Sequence, residues 1–577
     1  MDQQRNLFIA IALSLAILLG FQYFFGQQQQ HPPGTPSTTQ TAQAPSQPDT
    51  AAPAAPGAAA PAAVAKPRAE VLAEAPRVEI DTPRLKGTIS LVGARLDDLA
   101  LSNYHETIDD KSPPIVLLSP DGTEHPYFVE HGWVPAPNST IKLPDGTTRW
   151  TASAGKLTPQ HPIDLSWDNG AGLRFIRHYA VDDNFLFTVT QTVENHGNQP
   201  VTLYPYGLIS RTGNPVTSST YILHEGPIGV LDGTLKEIKY SDLKPGKPDE
   251  FKSTGGWLGI TDKYWLTSLI PDQQEALKAR FTAVERDKTE VYQTDYTGSE
   301  HVVPPGGSVS ATDRLFAGAK EVHLLDSYGA SLHIPLFDRA IDFGWFIWIT
   351  KPIFLTLDFF YQRIGNFGVA ILLLTVIIKL IFFPLANKSY RAMSKMKLLQ
   401  PEMEKLRERF GDDKVRLQQE MMALYKRVGA NPMAGCLPII IQIPVFFSLY
   451  KVLYVTIEMR HAPFFGWIHD LSAPDPTTFV NLFGLLPFTL PPGLAFLHIG
   501  AWAIIMGITM YLTQRLNPQP ADPVQAKMFM VLPVVFTYML AQFPAGLVIY
   551  WAWNNLLSFA QQWLIMRRAG VAVPAKA

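Results

Sequence analysis

The spacing of apolar residues changes twice along the chain and predicts three kinds of structure. At the N-terminus, "LFIAIALSLAILLGFQYFF" (7–25) is almost purely apolar. At ~1.5 Å of helix per residue it spans a ~30 Å hydrocarbon core. It ends in aromatic residues and a glutamine run, not in the small residues of a signal-peptide cleavage site. Residues 1–26 are therefore predicted to be an uncleaved transmembrane anchor.

Between residues 78 and 335 the apolar positions alternate with polar ones. Segments such as "LRFIRHYAVDD" and "FLFTVTQTVEN" are separated by turn sequences such as "PDG" and "HGN". This alternation predicts antiparallel strands in one large, all-β sandwich domain. The preceding segment, 27–77, is rich in Pro, Ala and Gln and has too few apolar residues to form a core, so we expect a disordered linker.

The pattern from residue 336 onwards is typical of a polytopic α-helical membrane protein. Residues 336–364 mix apolar and charged positions around Trp345 and Trp348, which predicts an amphipathic helix anchored in the membrane interface. Within 365–568, "FPAG" divides the last apolar run because Pro and Gly favour a turn. Five spans are predicted there, which with the anchor makes six: about 367–386, 433–457, 494–514, 528–543 and 545–566.

The distribution of charge predicts the orientation of these spans. Lys and Arg are concentrated in 387–430, whereas the loop 458–493 contains only Arg460. The positive-inside rule then gives an N-in/C-in topology, with the β domain outside and residues 569–577 as a cytosolic tail. The net charge of −2 gives no reason to expect specific nucleic-acid binding.

The basic segment 387–430 has two helix-period stretches separated by "GDD" (411–413), which predicts a cytosolic helical hairpin. Two interpretations remain open: a solvated loop between spans, or a docking surface for a partner. The basic residues assigned to the docking surface are Lys395, Lys397, Arg407, Arg409, Lys414 and Arg416.

Lys379 is the most unusual residue of the predicted spans. It lies nine residues before Lys388, which places its Cα ~13 Å along the helix from the cytosolic end, whereas a lysine stem reaches only ~6 Å. No acidic residue of the other spans is an obvious partner, which argues against a buried ion pair and a carboxylate proton relay. We therefore expect Lys379 to face a hydrated cavity open to the cytosol, with Thr375 on the same helix face.

Other chemistry is sparse in the sequence. The single cysteine, Cys436, excludes an intramolecular disulfide, and no metal-ligand spacing or nucleophile motif is present. No cofactor, metal site or enzymatic activity is expected. Polar residues in the last span, including Asn554, Asn555 and Ser558, suit either a polar groove or simple interhelix hydrogen bonds.

Four long stretches resemble the YidC/Oxa/Alb family of membrane-protein insertases, in its Gram-negative form with a large periplasmic domain. They are "QPEMEKLRERFGDDKVRLQQEMMALYK", "NPMAGCLPIIIQIPVFFSLYKVL", "APFFGWIHDLSAPDP" and "FPAGLVIYWAWNNLLSFAQQWLI". The resemblance implies a bacterial inner-membrane protein with a β-supersandwich-like periplasmic domain and five core spans around a hydrophilic groove. It implies insertion of nascent membrane proteins, alone or with the Sec translocon, and ribosome and signal-recognition contacts at the hairpin.

The resemblance also implies which residues line the groove. A positive residue in the first core span corresponds to Lys379, which keeps the charge of the arginine in the enteric family member but lacks its planar fork. With Asn555 added from its place among the polar residues of the last span, the predicted groove and substrate-contact residues are Lys379, Thr375, Gln442, Tyr550, Trp551 and Asn555.

Two alternative functions are considered. A small-molecule transporter often shows inverted repeats or carboxylates at mid-membrane. A membrane-anchored sugar-binding or sugar-modifying protein acting through the β domain would need paired carboxylates or a metal site if it were an enzyme. Neither pattern is found in the sequence. A sugar-binding groove in the aromatic-rich β domain stays an alternative interpretation.

Overall fold

The computed structural model describes residue 55 and residues 65–213, 223–286, 289–410, 413–428, 437–486, 497–517 and 523–568. The predicted anchor (1–26), most of the predicted linker (27–77) and the predicted tail (569–577) lie outside these residues. A short helix, α1 (Arg68–Ala73), precedes the first strand.

The strands described between Arg77 and Ala319 form two sheets. The larger sheet contains β1 (Arg77–Asp81), β2 (Leu85–Ser90), β3 (Leu96–His105), β4 (Pro114–Leu118), β5 (Tyr127–Pro135), β7 (Lys156–Leu157), β11 (Val201–Thr212), β14 (Asp249–Thr254), β17 (Ala276–Arg286), β18 (Thr289–Thr297) and β19 (His301–Val303). The smaller sheet contains β6 (Thr151–Ala152), β8 (Ile163–Asp168), β9 (Leu173–Val181), β10 (Leu186–Asn195), β12 (Gly226–Leu231), β13 (Thr234–Glu237), β15 (Trp257–Thr261), β16 (Trp265–Ile270) and β20 (Ser308–Ala319).

The strand order shows how the two layers are built. The larger sheet runs β14-β17-β18-β11-β5-β3-β2-β1-β7, with β19 beside β11 and β4 beside β3, and the smaller sheet runs β13-β12-β15-β16-β20-β10-β9-β8-β6. The short pair β1 and β7 is parallel, and neighbours such as β9 and β10 are antiparallel, with Tyr179 opposite Val189. The predicted all-β, two-sheet domain is confirmed.

The alternation in the sequence explains the core of this sandwich. In β9 the residues at positions 174, 176 and 178 are more exposed, whereas Leu173, Phe175 and Tyr179 are buried. They join a core that includes Val189 and Trp257. Each strand therefore contributes one apolar face to the layer between the sheets.

The middle of the larger sheet departs from this alternation. In β5 every residue from Tyr127 to Val134 is buried, and in β11 the same holds from Leu203 to Ser210. The outer face of these strands carries a second apolar cluster, made of Ala55, Phe128, Val134, Tyr204, Tyr206, Leu208 and Val291. We call this cluster the outer-face cluster.

The C-terminal region is helical, as predicted. Its helices are α2 (Val322–Ser331), α3 (Ile347–Ile364), α4 (Phe367–Ile381), α5 (Phe383–Leu398), α6 (Gln400–Phe410), α7 (Lys414–Val428), α8 (Leu437–Val455), α9 (Ala501–Leu516), α10 (Pro523–Leu540) and α11 (Ala545–Arg568). Short 3-10 turns lie at Tyr240–Asp242, Phe337–Ala340, Ile457–Met459 and Phe479–Gly484.

Local sequence sets the boundaries of the first long helices. Gly365 ends α3 in the left-handed conformation (φ 75°), which glycine adopts without a steric penalty. Asn366 then caps α4, its side-chain oxygen accepting a hydrogen bond from the Val369 amide at 3.0 Å. The chain therefore turns from α3 directly into α4.

A bend of 69° at Phe382 separates α4 from α5. Pro384, in the first turn of α5, lacks an amide hydrogen and disfavours helical backbone in the residue before it. The segment predicted as one span, 367–386, is thus α4 and the first turn of α5.

Among the described residues, α4 and α5 taken together as a bent pair have the length and apolar composition of a membrane span, and no helix has them by itself. Two shorter apolar helical stretches are Gln442–Val455 and Ala526–Leu540. In the predicted hairpin segment, α6 and α7 pack together through Leu399, Met403, Leu424 and Tyr425.

The β domain and the helices share one hydrophobic core. The same cluster of buried apolar residues includes Phe187 of β10, Phe337, Phe354 of α3, Leu449 of α8 and Ile549 of α11. Continuous apolar packing therefore connects the sandwich with α3 and α8.

Polar contacts reinforce this junction. Lys451, near the end of α8, forms an ion pair with Asp342 at 2.8 Å. Glu458 accepts a hydrogen bond from the Val322 amide at the start of α2, at 2.8 Å. Further contacts are His323 to Asp358 at 2.8 Å, Lys351 to Asp326 at 2.7 Å and to Asp338 at 2.8 Å, and Arg460 to the His105 carbonyl at 2.6 Å.

Candidate functional site

A small cavity lies where α4, α5, α8 and α11 meet. Its volume is about 50 Å³, enough for roughly three water molecules at the 10–15 Å³ that each one needs by this measure. The lining residues are Ile378, Lys379, Phe382, Leu385, Ala386, Tyr390, Gln442, Val445, Tyr550 and Asn554. The bend at Phe382 brings the last turn of α4 and the first turn of α5 to the same cavity.

Lys379 supplies the charge of this cavity. Its Nζ donates a hydrogen bond to Ser558 Oγ at 2.6 Å, and Ser558 Oγ donates to the Asn554 carbonyl at 2.8 Å. The lining residues include no Asp or Glu. Because an ammonium has three N–H groups, the bond to Ser558 leaves the charge able to bind water or an anionic group in the cavity.

The other polar lining residues come from the neighbouring helices α5, α8 and α11. Tyr550 of α11 lies within hydrogen-bonding reach of the Gln442 side chain of α8. Tyr390 of α5 reaches Ser558 as well. The cavity therefore combines one cation with hydroxyl and amide groups, an arrangement that attracts polar or acidic segments without a fixed counter-ion.

The structure brings together three of the six residues predicted for the groove. Lys379, Gln442 and Tyr550 line the cavity. Thr375 does not line it, since its hydroxyl is buried and donates to the Ile371 carbonyl of its own helix at 2.7 Å.

Trp551 and Asn555 lie next to the cavity but do not line it. Trp551 packs edge-on against Phe446, with ring centroids 4.8 Å apart. The Asn555 carbonyl accepts a hydrogen bond from Thr513 of α9 at 3.2 Å. Both residues support the packing of α11, the helix that carries the lining residues Tyr550 and Asn554.

Three residues that the structure places at the site are not among the six predicted groove residues. Asn554 and Ser558 share a helix face with i, i+4 spacing, and this spacing was the available signal. Tyr390 lies beyond the predicted span, so nothing in the pattern pointed to it. Ser558 matters most because it holds the lysine ammonium.

The predicted docking residues lie on the surface of the helical hairpin. Lys395, Arg407, Arg409 and Arg416 are exposed, and the side chain of Lys414 is outside the described part of the structure. Lys397 is partly buried, with its Nζ 3.5 Å from the Leu516 carbonyl. A cleft of about 230 Å³ between α6 and α7 is lined by Glu402, Lys405, Leu406, Arg409, Glu420, Leu424 and Arg427.

The two predicted interfacial anchors are strongly exposed. Trp345 and Trp348, at the start of α3, are 78% and 70% exposed, and Trp345 lies against Phe346 with ring centroids 3.8 Å apart. For metals, the described residues contain no group of three or more His, Cys, Asp or Glu positioned to hold an ion.

Two family models match the chain over most of its length. The sequence model described as YidC periplasmic domain matches residues 77–356, and the model described as 60Kd inner membrane protein matches residues 359–571. A solved YidC insertase structure is 18% identical, covers 87% of this chain and 94% of its own, and aligns with a TM-score of 0.36. A galactose mutarotase related enzyme from Lactobacillus acidophilus is 10% identical, covers 42% of this chain and 97% of its own, with a TM-score of 0.28.

These structural scores are too low to establish a sugar-related activity, but the sequence relatives are close. A membrane protein insertase YidC of Bradyrhizobium diazoefficiens is 53% identical over 99% of this chain and 97% of its own length. One from Methylobacterium sp. is 54% identical over 99% of this chain and 96% of its own. On this identity over nearly the full length, the chain belongs to the YidC family of membrane protein insertases.

Proposed function

We propose that this chain inserts newly made proteins into the bacterial inner membrane and helps them fold there, alone or beside the Sec translocon. The observation that carries the proposal is the polar cavity around Lys379, which holds a positive charge among packed helices without a facing carboxylate. The relatives are named membrane protein insertases, and none of the comparisons carries an argument for a transporter or a sugar-modifying protein.

The proposed topology has six spans, with both termini in the cytosol. Five of these spans form the insertase core around the cavity, and Trp345 and Trp348 anchor the interfacial helix in lipid. The proposed divisions are an anchor (1–26), a linker (27–77), a periplasmic domain (78–335), an interfacial helix (336–364), a core (365–568) containing the cytosolic hairpin (387–430), and a tail (569–577).

In the proposed mechanism the cavity lowers the barrier to moving a short polar tail across the membrane. Water and polar side chains in the cavity replace part of the solvation that the tail loses. Lys379 attracts acidic residues of the tail, and the membrane potential favours their export by about 2.3 kcal/mol per charge per 100 mV. The apolar segment of the substrate then moves into lipid because this removes its surface from water.

Ser558 has a positioning role in this mechanism. Its hydroxyl fixes the ammonium of Lys379 against α11 while leaving other N–H groups for the substrate. Tyr550 of α11 and Gln442 of α8 provide further polar contacts in the cavity. No cofactor or nucleotide takes part in the proposed mechanism, so insertion is driven by substrate burial and by the membrane potential.

The cytosolic hairpin is proposed to receive substrates from the ribosome and the signal-recognition machinery. Its exposed arginines, including Arg407 and Arg409, suit acidic partners. Replacing both with Glu should reduce co-sedimentation with ribosomes carrying a nascent membrane protein. Replacing Glu404 and Glu408 of the same helix with Lys is the matched control and should not reduce it. Equal loss in both variants would contradict a specific role for the arginines.

Reconstitution tests the insertase function itself. The purified full chain in liposomes without Sec components should insert a single-span protein with a short translocated tail, measured by protection of that tail from added protease. Protein-free liposomes are the control. Equal protection in both preparations would refute autonomous insertion.

A further inference from the structure

Ala55, a residue of the predicted linker, is bound to the outer face of the larger sheet. It is only 5% exposed and belongs to the outer-face cluster with Phe128, Tyr204 and Tyr206. A polar, proline-rich tether has no need to bury a side chain against a folded domain. This contact therefore indicates a binding interaction.

A hydrogen bond to the backbone fixes Ala55 in place. Arg280 of β17 donates from its guanidinium to the Ala55 carbonyl at 2.9 Å. The same guanidinium is paired with Asp295 of β18 at 3.1 Å, and Asp295 also accepts from the Gln293 side chain at 2.7 Å. The arginine is thus oriented by its neighbours before the linker arrives, which lowers the entropic cost of binding.

The chemistry of this face suits an extended segment rich in alanine and proline. Tyr204 and Tyr206 have their hydroxyls hydrogen-bonded to Glu300 at 3.1 Å and to Glu130 at 2.7 Å, which leaves their rings for apolar contact. Aromatic surfaces that also donate hydrogen bonds to carbonyls are typical of sites for proline-rich peptides. Such peptides lose little entropy on binding and have few amide hydrogens to desolvate.

The linker sequence fits this site. Residues 51–64 read "AAPAAPGAAAPAAV", so that small side chains and prolines alternate around the bound residue. Ala55 directly precedes Pro56, and a residue before proline favours extended over helical backbone.

We infer that the outer face of the larger sheet is a peptide-binding site whose ligand is this chain's own linker, held at Ala55 through the guanidinium of Arg280. Binding at Ala55 shortens the stretch of linker between the proposed anchor and the β domain from residues 27–77 to residues 27–54. For a flexible chain this shortens the root-mean-square span from about 40 Å to about 30 Å. The site goes beyond the proposed insertase function and does not depend on it.

Thiol accessibility at position 55 tests the inference in the full chain. The native cysteine is first removed as Cys436→Ser, and Ala55→Cys is introduced, so that maleimide reacts at one position. A synthetic peptide with the sequence 50–60 and the same substitution gives the rate for a free thiol. We expect the full chain to react at least tenfold more slowly than the peptide.

Substitutions at two positions of β17 separate the proposed contact from general packing. Arg280→Gln should raise the reaction rate at position 55 about tenfold, the effect of losing one charge-assisted hydrogen bond. Lys278→Gln removes a charge two residues away that pairs with Glu250 at 3.2 Å, and should leave the rate unchanged. Arg280→Lys, which keeps the charge but not the guanidinium, should give an intermediate rate.

Three results would overturn the inference: a full-chain rate equal to that of the peptide, no acceleration in Arg280→Gln, or equal acceleration in Lys278→Gln. Thermal unfolding followed by tryptophan fluorescence identifies variants in which the β domain itself is destabilised. If Arg280→Gln unfolds at a lower temperature than the parent, the maleimide reaction rate of Arg280→Lys is used instead. A rate no higher than that of the parent would then overturn the inference. Insertion activity is measured separately, so a failed linker contact leaves the proposed function standing.

Discussion

Replacing Lys379 tests how its charge acts on a substrate. In the Lys379→Ala variant, Ser558 Oγ still donates to the Asn554 carbonyl, so the substitution leaves no buried donor unpaired. The fold should therefore persist while the cavity loses its positive charge. Lys379→Arg keeps the charge and should keep activity, because attraction to a carboxylate needs no particular fork geometry.

The size of the effect follows from Coulomb's law. A substrate carboxylate that approaches Lys379 to about 5 Å gains about 1 kcal/mol at the permittivity of water and about 3 kcal/mol at an effective permittivity of 20. These values correspond to roughly fivefold and 200-fold. A hydrated cavity lies between the two limits, so we expect Lys379→Ala to slow insertion of an acidic-tailed substrate by about tenfold or more.

The assay compares two substrates in proteoliposomes. One carries two Asp residues in its short translocated tail, and the other carries Asn at the same positions. The loss in Lys379→Ala should be large for the acidic tail and small for the neutral one. Ser558→Ala, which keeps the charge but removes its hydrogen bond, should have an intermediate effect on the acidic tail. Equal losses for both tails, or full activity of the alanine variant, would refute electrostatic attraction.

Two further predictions concern stability. Burial raises the pKa of Glu458 to about 7 from 4.5, so the folded protein holds a proton that the unfolded chain releases. Proton binding by Glu458 therefore stabilises the fold fully below pH ~4.5. The free energy of unfolding falls by about 3 kcal/mol as this stabilisation is lost while the pH rises through ~7. Glu458→Gln, whose amide oxygen can still accept from the Val322 amide, should flatten the fall in melting temperature between pH 5 and pH 8; an unchanged pH profile would contradict the assignment. A Cβ at Gly507 would lie 2.1 Å from Thr537 Oγ1. Gly507→Val should therefore separate α9 from α10 and lower the melting temperature in detergent by several degrees. A variant as stable as the parent would contradict this close packing.

The fold was predictable where local pattern determines it. The alternation of apolar and polar residues predicted the β domain, because strands such as β9 face the core on one side only. The bend at Phe382 was missed since an apolar run of suitable length predicts one continuous helix, although Pro384 was a signal for a break. The burial of both faces of β5 and β11 could not be predicted, because it depends on segments that are distant in sequence.

The candidate site was predictable in part for a similar reason. The depth of Lys379 and the lack of acidic residues indicated a polar cavity, and three of the six assigned residues line it. Thr375 has the correct helix face, but its hydroxyl bonds to its own backbone, as Thr often does within a helix. Sequence spacing could not predict the pairing of Lys379 with Ser558 or of Lys451 with Asp342, because both pairs join segments that are distant in sequence.

Site-specific crosslinking shows directly whether a substrate passes through the cavity around Lys379. A photoreactive residue replaces either Gln442, which lines the cavity, or Ile508, which is exposed on α9 away from it. Each variant is presented with a ribosome-stalled nascent membrane protein. We expect crosslinks from position 442 to the acidic tail and none from position 508. Insertion without a tail crosslink from position 442, or equal crosslinking from both positions, would contradict passage through the cavity.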